Sequence, residues 1–296
     1  MNRADTVPTS RRKVTPARVV LQAFLIVTSL VWLFPLVWAL YTSLRPYSDT
    51  AERGYVSLPG VLTIANYTTA WRNADLPHFF WNSFVITVPA VILTLFLATM
   101  VAFALSRFTF RFNLALLMIF TAGNLLPQQV IITPLYRLYL ALPLPSFLSD
   151  TGVWYDSFFG IIAIHVAFQV GFCVFVLSNY MKTIPMELGE AAVMDGASVW
   201  RQYRSVILPL SRPPLAALAT LLFTWIYNDF FWALVLMSTG SKRPVTSALN
   251  NLQGLYFVDN NLIAAASILV AIPTLIVFFA LQGQFVRGLT LGATKG

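Results

Sequence analysis

Six long apolar segments constrain this chain more than any other feature of its sequence. They cover residues 19–41, 82–105, 114–139, 158–180, 215–237 and 262–282. Each is long enough to cross the roughly 30 Å hydrocarbon core of a bilayer, at ~1.5 Å per helical residue. Because lipid offers no partner to an unpaired backbone group, each segment is predicted to be helical. The predicted fold is all-α, a polytopic membrane protein with six transmembrane helices.

The composition supports a lipid environment. Of the 296 residues, 58% are hydrophobic and 10% are charged, whereas a soluble domain carries about a quarter charged residues. No basic stripe with interleaved aromatics accompanies the net charge of +8, so we expect no nucleic-acid partner. The single cysteine, Cys173, excludes an internal disulfide and a multi-cysteine metal site. The first apolar segment is too long for a cleavable signal peptide and is followed by further spans.

The positions of Lys and Arg predict the orientation. With the N-terminus inside, thirteen of the 19 basic residues lie in cytoplasmic segments, and the other six are Arg45, Arg53, Arg72, Arg137, Lys242 and Arg243. This bias follows the positive-inside rule. The chain is therefore predicted as a cytoplasmic basic tail, 1–17, and a transmembrane domain, 18–296, with both termini cytoplasmic. The predicted external loops are 42–81, 140–157 and 238–261.

The predicted cytoplasmic loop 181–214, which we call the EAA loop, carries an ordered pattern of short helices. Residues 185–193 read as a helix that Pro185 begins, and Gly196 supplies a positive φ that turns the chain. Ser198 is placed to cap a second helix over 199–207, which Pro209 is expected to end. A plain solvated loop is the alternative, and a tripeptide Glu190-Ala191-Ala192 alone would favour it. The full spacing from Glu190 to Pro209 favours a docking surface instead.

This spacing resembles the signature loop of permease subunits of ATP-binding-cassette (ABC) importers. The pattern is Glu-Ala-Ala, three residues, Gly, nine residues, and then an aliphatic residue, any residue, Leu and Pro. Stretches elsewhere are similar to carbohydrate-type permeases, especially the shorter permease of maltose-type systems: 126–130, 134–136, 177–181, 225–230 and 285–290. The similarity extends over nearly all of the chain from about Leu21 onward.

The resemblance implies a set of partners. Such permeases work as a heterodimer with a second permease, with two ABC ATPase subunits and with an extracytoplasmic substrate-binding protein, in the bacterial inner membrane. It assigns ATPase coupling to Glu190, Ala191, Ala192, Asp195, Gly196, Val206, Leu208 and Pro209. The chain has no Gly-x4-Gly-Lys-Ser/Thr pattern, so it is expected to be a transport subunit rather than an enzyme. ATP and Mg²⁺ would be bound by the partner ATPases, and no cofactor by this chain. The implied cargo is a sugar, an oligosaccharide or a related polyol or glycerol-phosphate-like solute.

Polar side chains inside the apolar segments are candidates for a substrate pathway, because they are costly in lipid and tend to face a bundle interior. Sugars need hydrogen-bonding groups for their hydroxyls and flat apolar faces for their C–H surfaces. The fifth segment offers both, and two i, i+4 pairs add amides and an imidazole; the candidates are Trp225, Asn228, Asp229, Trp232, Asn124, Gln128, His165 and Gln169.

Structural roles for these residues remain open alternatives. Trp232 fits an interfacial aromatic belt equally well, and Asn228 and Asp229 can brace neighbouring helices. His165 is not expected to bind metal, because no second ligand is suitably spaced.

Two other functional classes compete with an ATP-driven importer. One is a secondary transporter with Asp229 as proton relay, and the other is an intramembrane enzyme. Neither accounts for the long EAA pattern, and the sequence shows no nucleophile elbow, catalytic carboxylate pair or metal cluster.

Overall fold

A computed structural model describes residues 15–123, 127–252 and 258–290. Across these ranges the regular structure is helical, with an isolated β-bridge between Pro143 and Val153. The α-helices, in chain order, are α1 (Pro16–Ser43), α2 (Tyr47–Arg53), α3 (Ala65–Asn73), α4 (Leu76–Arg107), α5 (Asn113–Gly123), α6 (Ile132–Ala141), α7 (Phe158–Met181), α8 (Glu187–Met194), α9 (Val199–Gln202), α10 (Leu208–Leu210), α11 (Arg212–Tyr227), α12 (Phe231–Leu236), α13 (Val245–Ala248) and α14 (Asn260–Thr290). The all-α prediction is therefore confirmed for the described residues.

Four of these helices, α1, α4, α7 and α14, are each long and apolar enough to cross a bilayer. The number rises to six if each of two bent pairs counts as one span. One pair joins Asn113–Gly123 to Gln128–Ala141, and the other joins Val199–Leu210 to Arg212–Tyr227. Four of the six predicted segments thus coincide with single long helices.

The third and fifth predicted segments are not single straight helices. In the third, α5 ends at Gly123, and the chain resumes after Pro127 with a 3₁₀ turn, Gln128–Ile131, before α6. In the fifth, α11 ends at Tyr227 and α12 begins at Phe231. Hydropathy reports how long an apolar segment is, and it does not report whether its helix is continuous, so the prediction of one helix for each of these two segments was wrong.

The core forms where α4 packs along α7, the most extensive helix–helix contact among the described residues. Small side chains on α4 are fully buried in this contact, namely Ala90, Ala98 and Ala102. Small residues let two helix backbones approach closely, which is how helices associate in lipid without a hydrophobic driving force. A second cluster joins α11 to α14, where the Tyr227 hydroxyl donates to the Val270 carbonyl at 3.0 Å.

Helix α1 stands apart from the core and contacts α14. Most of its large apolar side chains are exposed, including Trp32, with 79% of its surface accessible. Beyond α1, a buried ion pair between Arg45 Nε and Asp49 Oδ2, at 2.6 Å, fixes the start of the predicted first external loop. Burial opposes ionisation of Asp49, but hydrogen bonds from Arg45 and Gly60 and the charges of Arg45 and Arg53 hold its pKa below the ordinary value.

Candidate functional site

The first helix of the EAA loop, α8, runs from Glu187 to Met194, so it begins two residues later than predicted from Pro185. Gly196 follows it with φ of +75°. The Gly196 amide donates to the Val193 carbonyl and the Ala197 amide donates to the Ala192 carbonyl, each at 2.9 Å. This pair of bonds is a Schellman motif, which satisfies carbonyls left unpaired at the helix end and requires a left-handed residue. The predicted glycine turn is confirmed.

The second helix of the loop differs from the prediction of a regular helix over 199–207. Ser198 caps α9 by accepting a hydrogen bond from the Arg201 amide, as predicted. From Tyr203 to Ile207, however, the chain forms a π-helical turn, in which the Leu208 amide donates to the Tyr203 carbonyl five residues back. Pro209 does not end this helix, because the helical backbone continues from the π-helical turn through α10 to Leu210. The chain turns at Ser211, and α11 leaves at 74° to the axis of the preceding helix.

The EAA loop exposes both polar and apolar side chains. Glu190, Ala191, Asp195 and Gly196 are exposed, and Ala192, Val206, Leu208 and Pro209 are half-buried. Next to them are large apolar side chains that the sequence reasoning did not single out: Met186, Leu188, Val193, Met194, Val199 and Trp200. Met194 is the extreme case, with 87% of its surface accessible. The sequence contains a signal for this exposure. The two loop helices are short, and neither has a core-facing side large enough to bury all of these apolar side chains.

Most of the candidate pathway residues surround one cavity of about 490 Å³. We call it the central cavity, and its lining residues are Gln128, His165, Phe168, Gln169, Thr224, Trp225, Asn228, Asp229 and Trp232. They come from the 3₁₀ turn before α6, from α7, from the end of α11, from the α11–α12 break and from α12. Seven of the eight candidates thus converge, while Asn124 lies outside the described residues.

The break between α11 and α12 places a carboxylate at the cavity wall. One oxygen of Asp229 accepts a hydrogen bond from the Trp232 amide at 3.1 Å, which satisfies a donor at the start of α12. The backbone carbonyl of Asp229 accepts from the Thr246 hydroxyl at 2.7 Å. His165 Nε2 lies 3.8 Å from the same carboxylate oxygen. The break in the helix is therefore stabilised by two hydrogen bonds to Asp229, one to its side chain and one to its backbone carbonyl.

Aromatic faces complete the cavity. Trp232 is almost wholly buried and packs on Phe168 with ring centroids 5.3 Å apart. This burial is incompatible with the alternative of an interfacial belt position for Trp232. Trp225 is 44% exposed and its ring lies 5.4 Å from that of Phe172. The wall thus combines flat apolar surfaces with amides, a hydroxyl and one carboxylate.

Bracing roles also have support in the structure. The Asn228 side chain donates to the Thr224 carbonyl at 2.8 Å and approaches the Thr274 hydroxyl of α14 at 3.5 Å. Phe168 and Thr224 are lining residues that sequence reasoning missed, although each directly precedes a candidate, Gln169 or Trp225. Among the described residues there is no group of three or more His, Cys, Asp or Glu side chains that could hold a metal ion.

Comparison with known proteins places the chain in a family. Residues 91–291, which include the EAA loop and all the lining residues of the central cavity, match the model of the "Binding-protein-dependent transport system inner membrane component" family. The chain belongs to this family. It is therefore a multi-pass membrane permease of the ABC importer type, a class of transport subunits rather than enzymes.

Individual relatives agree with this assignment. The permease is 30% identical, over 96% of its own length and 99% of the relative's, to a probable starch degradation products transport system permease protein from Thermoanaerobacterium thermosulfurigenes. Its fold matches the crystal structure of a bacterial ABC transporter involved in import of the acidic polysaccharide alginate, with a TM-score of 0.77, 22% identity and coverage of 94% of this chain and 100% of that one. A crystal structure of an alginate ABC transporter in complex with an alginate pentasaccharide-bound periplasmic protein matches with a TM-score of 0.66, 16% identity and coverage of 92% and 96%.

Proposed function

We propose that this permease is one of two membrane subunits of an ATP-driven importer that takes up a sugar, an oligosaccharide or a related polyol. The observation that carries the proposal is the EAA loop, whose Schellman turn and exposed apolar side chains present a preformed surface in a family of transport subunits. The proposed setting is a bacterial inner membrane, with both termini and the EAA loop on the cytoplasmic side.

The proposed cargo class rests on the central cavity. Its tryptophan and phenylalanine faces suit the C–H surfaces of a sugar ring, and its amides and hydroxyl suit sugar hydroxyls. Starch products and alginate, the cargoes named for similar proteins, belong to the same chemical class. Asp229 contributes the carboxylate among the lining residues, so the cavity favours uncharged saccharides over acidic ones. We propose that this chain contacts the cargo directly through that wall.

The proposed partners follow from the family. A second permease would supply the other half of the pathway, and a substrate-binding protein would deliver the cargo to the external loops. Two ABC ATPases would bind ATP and Mg²⁺, and they would also bind the EAA loop. Small Ala191 and Ala192 allow their surface to approach, and exposed Glu190 offers a charge for a basic side chain or a helix terminus. The permease itself would bind neither nucleotide nor metal.

The proposed mechanism is alternating access. Closure of the ATP-bound partners would move the EAA loop, tilt the helices packed against it and open the central cavity to the outside. The loop must contact the closed ATPase pair differently from the open pair, because a contact that is the same in both states shifts no equilibrium.

The test is joint measurement of sugar uptake and ATP hydrolysis in vesicles that contain the whole importer. The variants Glu190→Ala and Gly196→Ala change the EAA loop while leaving the central cavity intact. We expect sugar uptake, and the ATP hydrolysis coupled to it, to fall in both variants. Unaltered uptake in both would remove the docking role. Ligand screening of the binding protein would identify the cargo independently.

A further inference from the structure

Helix α4 is tied by side-chain hydrogen bonds at both of its ends, although neither end is covalently continuous with the EAA loop. The EAA loop contacts one end of α4. Residues 238–245, which we call the external segment, contact the other end. These contacts fall outside the cavity, and Tyr203 occupies a position that the pattern of the EAA loop leaves unspecified.

The joint with the EAA loop is a buried hydroxyl pair. Tyr203, in the π-helical turn, is 4% exposed, and its hydroxyl lies 2.8 Å from Oγ1 of Thr99, which is 2% exposed. Thr99 already donates its only proton to the Phe96 carbonyl at 2.8 Å, so Tyr203 is the donor in the pair. The Tyr203 ring also packs on Phe103 of α4, with centroids 5.4 Å apart.

A second contact at this end fixes α4 to the start of the EAA loop. Arg107, the last residue of α4, donates from its Nη2 to the carbonyls of Met181 and Ile184 at 2.9 and 3.1 Å. The guanidinium thereby satisfies a carbonyl at the end of α7. The loop is held to α4 on both of its flanks, by Arg107 before α8 and by Tyr203 after α9.

The joint at the other end holds the external segment. The buried Asn82 amide donates to the carbonyls of Ser241 and Arg243 at 2.6 and 3.0 Å. His78, one turn before Asn82 on α4, bonds through Nε2 to the Ser241 carbonyl at 2.6 Å. Ser83, the residue after Asn82, accepts from the Val245 amide at 2.8 Å. Helix α4 runs through both joints as a single helix, with Pro89 inside it, and the joints lie about 25 Å apart along its axis at ~1.5 Å per residue.

The π-helical turn that carries Tyr203 indicates that the Tyr203–Thr99 contact is a site of movement. π-turns are rare, and they occur frequently at functional sites. Here the turn directs Tyr203 into the core from a loop whose other side chains are largely exposed. A displacement of the EAA loop would therefore reach α4 through the buried Tyr203 side chain, in addition to the Arg107 contact at the start of the loop.

We propose that α4 transmits movement of the EAA loop to the external segment, and that Tyr203 with Thr99 is the positioning joint through which it does so. The proposal rests on the proposed function, since it requires an ATPase that moves the loop. Closure of that ATPase would displace Tyr203, α4 would follow, and Asn82 would carry the movement to the surface facing the binding protein.

A thiol probe in the external segment tests this transmission without any knowledge of the cargo. Gly240 is exposed and an added side chain there meets no neighbouring atom within 4 Å. The importer carrying Gly240→Cys is reconstituted with its partners, and its maleimide reaction rate is measured with and without ATP and vanadate. The buried native Cys173 gives the background in a matched sample without the new cysteine.

The decisive variant is Tyr203→Phe, which keeps the ring and removes the hydroxyl. We expect it to reduce the ATP-dependent change in labelling by about threefold or more, the fold-change that corresponds to an average hydrogen bond between membrane helices. Thr99→Val should act alike, and the double variant should be no worse than either single one. The matched control is Tyr139→Phe, which removes a hydroxyl bond of similar burial, from Tyr139 of α6 to the Gly160 carbonyl of α7 at 2.9 Å, a bond in which neither α4 nor the EAA loop takes part.

The outcomes separate the two proposals. If the complex hydrolyses ATP but Gly240→Cys does not respond to ATP, or if Tyr203→Phe responds like Tyr139→Phe, transmission through this joint is wrong while the proposed function stands. If no ATPase binds the chain at all, the proposed function fails first. Thermal unfolding of each variant, measured in parallel, distinguishes a lost signal from a lost fold.

Discussion

Gly196 shows how one residue sets the geometry of the EAA loop. Its φ of +75° lies in the left-handed region, and no neighbouring atom lies within 4 Å of where a Cβ would stand. The requirement for glycine here is therefore conformational and not steric. Non-glycine residues other than Asn and Asp pay about 1–2 kcal/mol for this conformation.

This distinction gives a matched pair of variants. We expect Gly196→Ala to weaken copurification of the ATPase with the permease by roughly tenfold, because the strain disfavours the turn between α8 and α9. Gly196→Asn adds a larger side chain but tolerates the left-handed region, so it should retain most of the binding. Equal loss in both variants would show that the side chain itself, and not the turn, blocks the contact.

Asp156 fixes the external segment at its other edge. Its carboxylate accepts from the Ser238 and Thr239 amides, each at 2.9 Å, and from the Thr239 hydroxyl at 2.6 Å. Burial opposes ionisation, but the hydrogen bonds from Thr239 and Ser238 and the charge of Lys242 hold the pKa of Asp156 below its ordinary value.

The direction of this shift predicts an acid sensitivity. A carboxyl whose pKa is lower in the folded state stabilises that state above the unfolded pKa, and the stabilisation is lost as the pH falls through the folded value. Maleimide is a poor reagent in acid, so protease cleavage of the external segment is the suitable measure between pH 7 and pH 3. Cleavage should rise below the ordinary carboxyl pKa in the parent. In Asp156→Asn it should be high already at pH 7, and a flat profile in the parent would contradict this role.

At the scale of elements, the break between α11 and α12 gives the permease its central cavity. A continuous helix over 215–237 would place Trp225, Asn228 and Trp232 along one stripe, as the sequence periodicity suggests. The break instead turns Asp229 toward His165 and carries Trp232 into the core beside Phe168. The cavity wall is thus made by an interrupted element.

The charge of that wall predicts selectivity. In Asp229→Asn the amide oxygen can still accept from the Trp232 amide, because Asn is as good a capping residue as Asp, while the negative charge is gone. We expect acidic oligosaccharides to compete with the normal cargo about tenfold better in this variant, since a like-charge repulsion has been removed. Uptake of the neutral sugar should change less. No gain by acidic competitors would mean that Asp229 is a helix cap and nothing more.

The aromatic part of the wall predicts a loss of affinity. Trp225→Ala removes an exposed indole from the cavity, and we expect the KM for sugar uptake to rise roughly tenfold, in line with the energy of an aromatic contact. Trp32→Ala is the control, because Trp32 is an exposed tryptophan on α1, away from the cavity. A similar effect of both substitutions would indicate a general disturbance of the membrane domain and not a binding contact.

The same elements show what could be read from the sequence. Apolar length predicted α1, α4, α7 and α14, and turn chemistry predicted Gly196 and the Ser198 cap. The convergence of Gln128, His165 and the 224–232 stretch could not be predicted, because it depends on how α7 packs against α11 and α12. The π-helical turn at Tyr203 also left no local signal, since the long-range bond to Thr99 helps to hold it.

At the scale of the whole molecule, the EAA loop and the external segment lie at opposite ends of α4, with the central cavity in the elements beside it. This arrangement suits a transporter in which movement of the EAA loop changes access to the central cavity from the opposite side of the membrane. Helix α1, whose apolar surface is largely exposed, leaves ample area for lipid and for the proposed second permease.

The central claim is that a separate ATPase drives this permease through the EAA loop. Its most direct test is sugar uptake into vesicles that contain the complete importer, measured with ATP, with ATP plus vanadate, and with ATP plus a proton ionophore. Uptake that requires ATP, stops with vanadate, survives the ionophore and falls in Glu190→Ala is the predicted result. Uptake by the permease without any ATPase, abolished by the ionophore and untouched by vanadate, would contradict the account and point to a proton-driven transporter that uses Asp229.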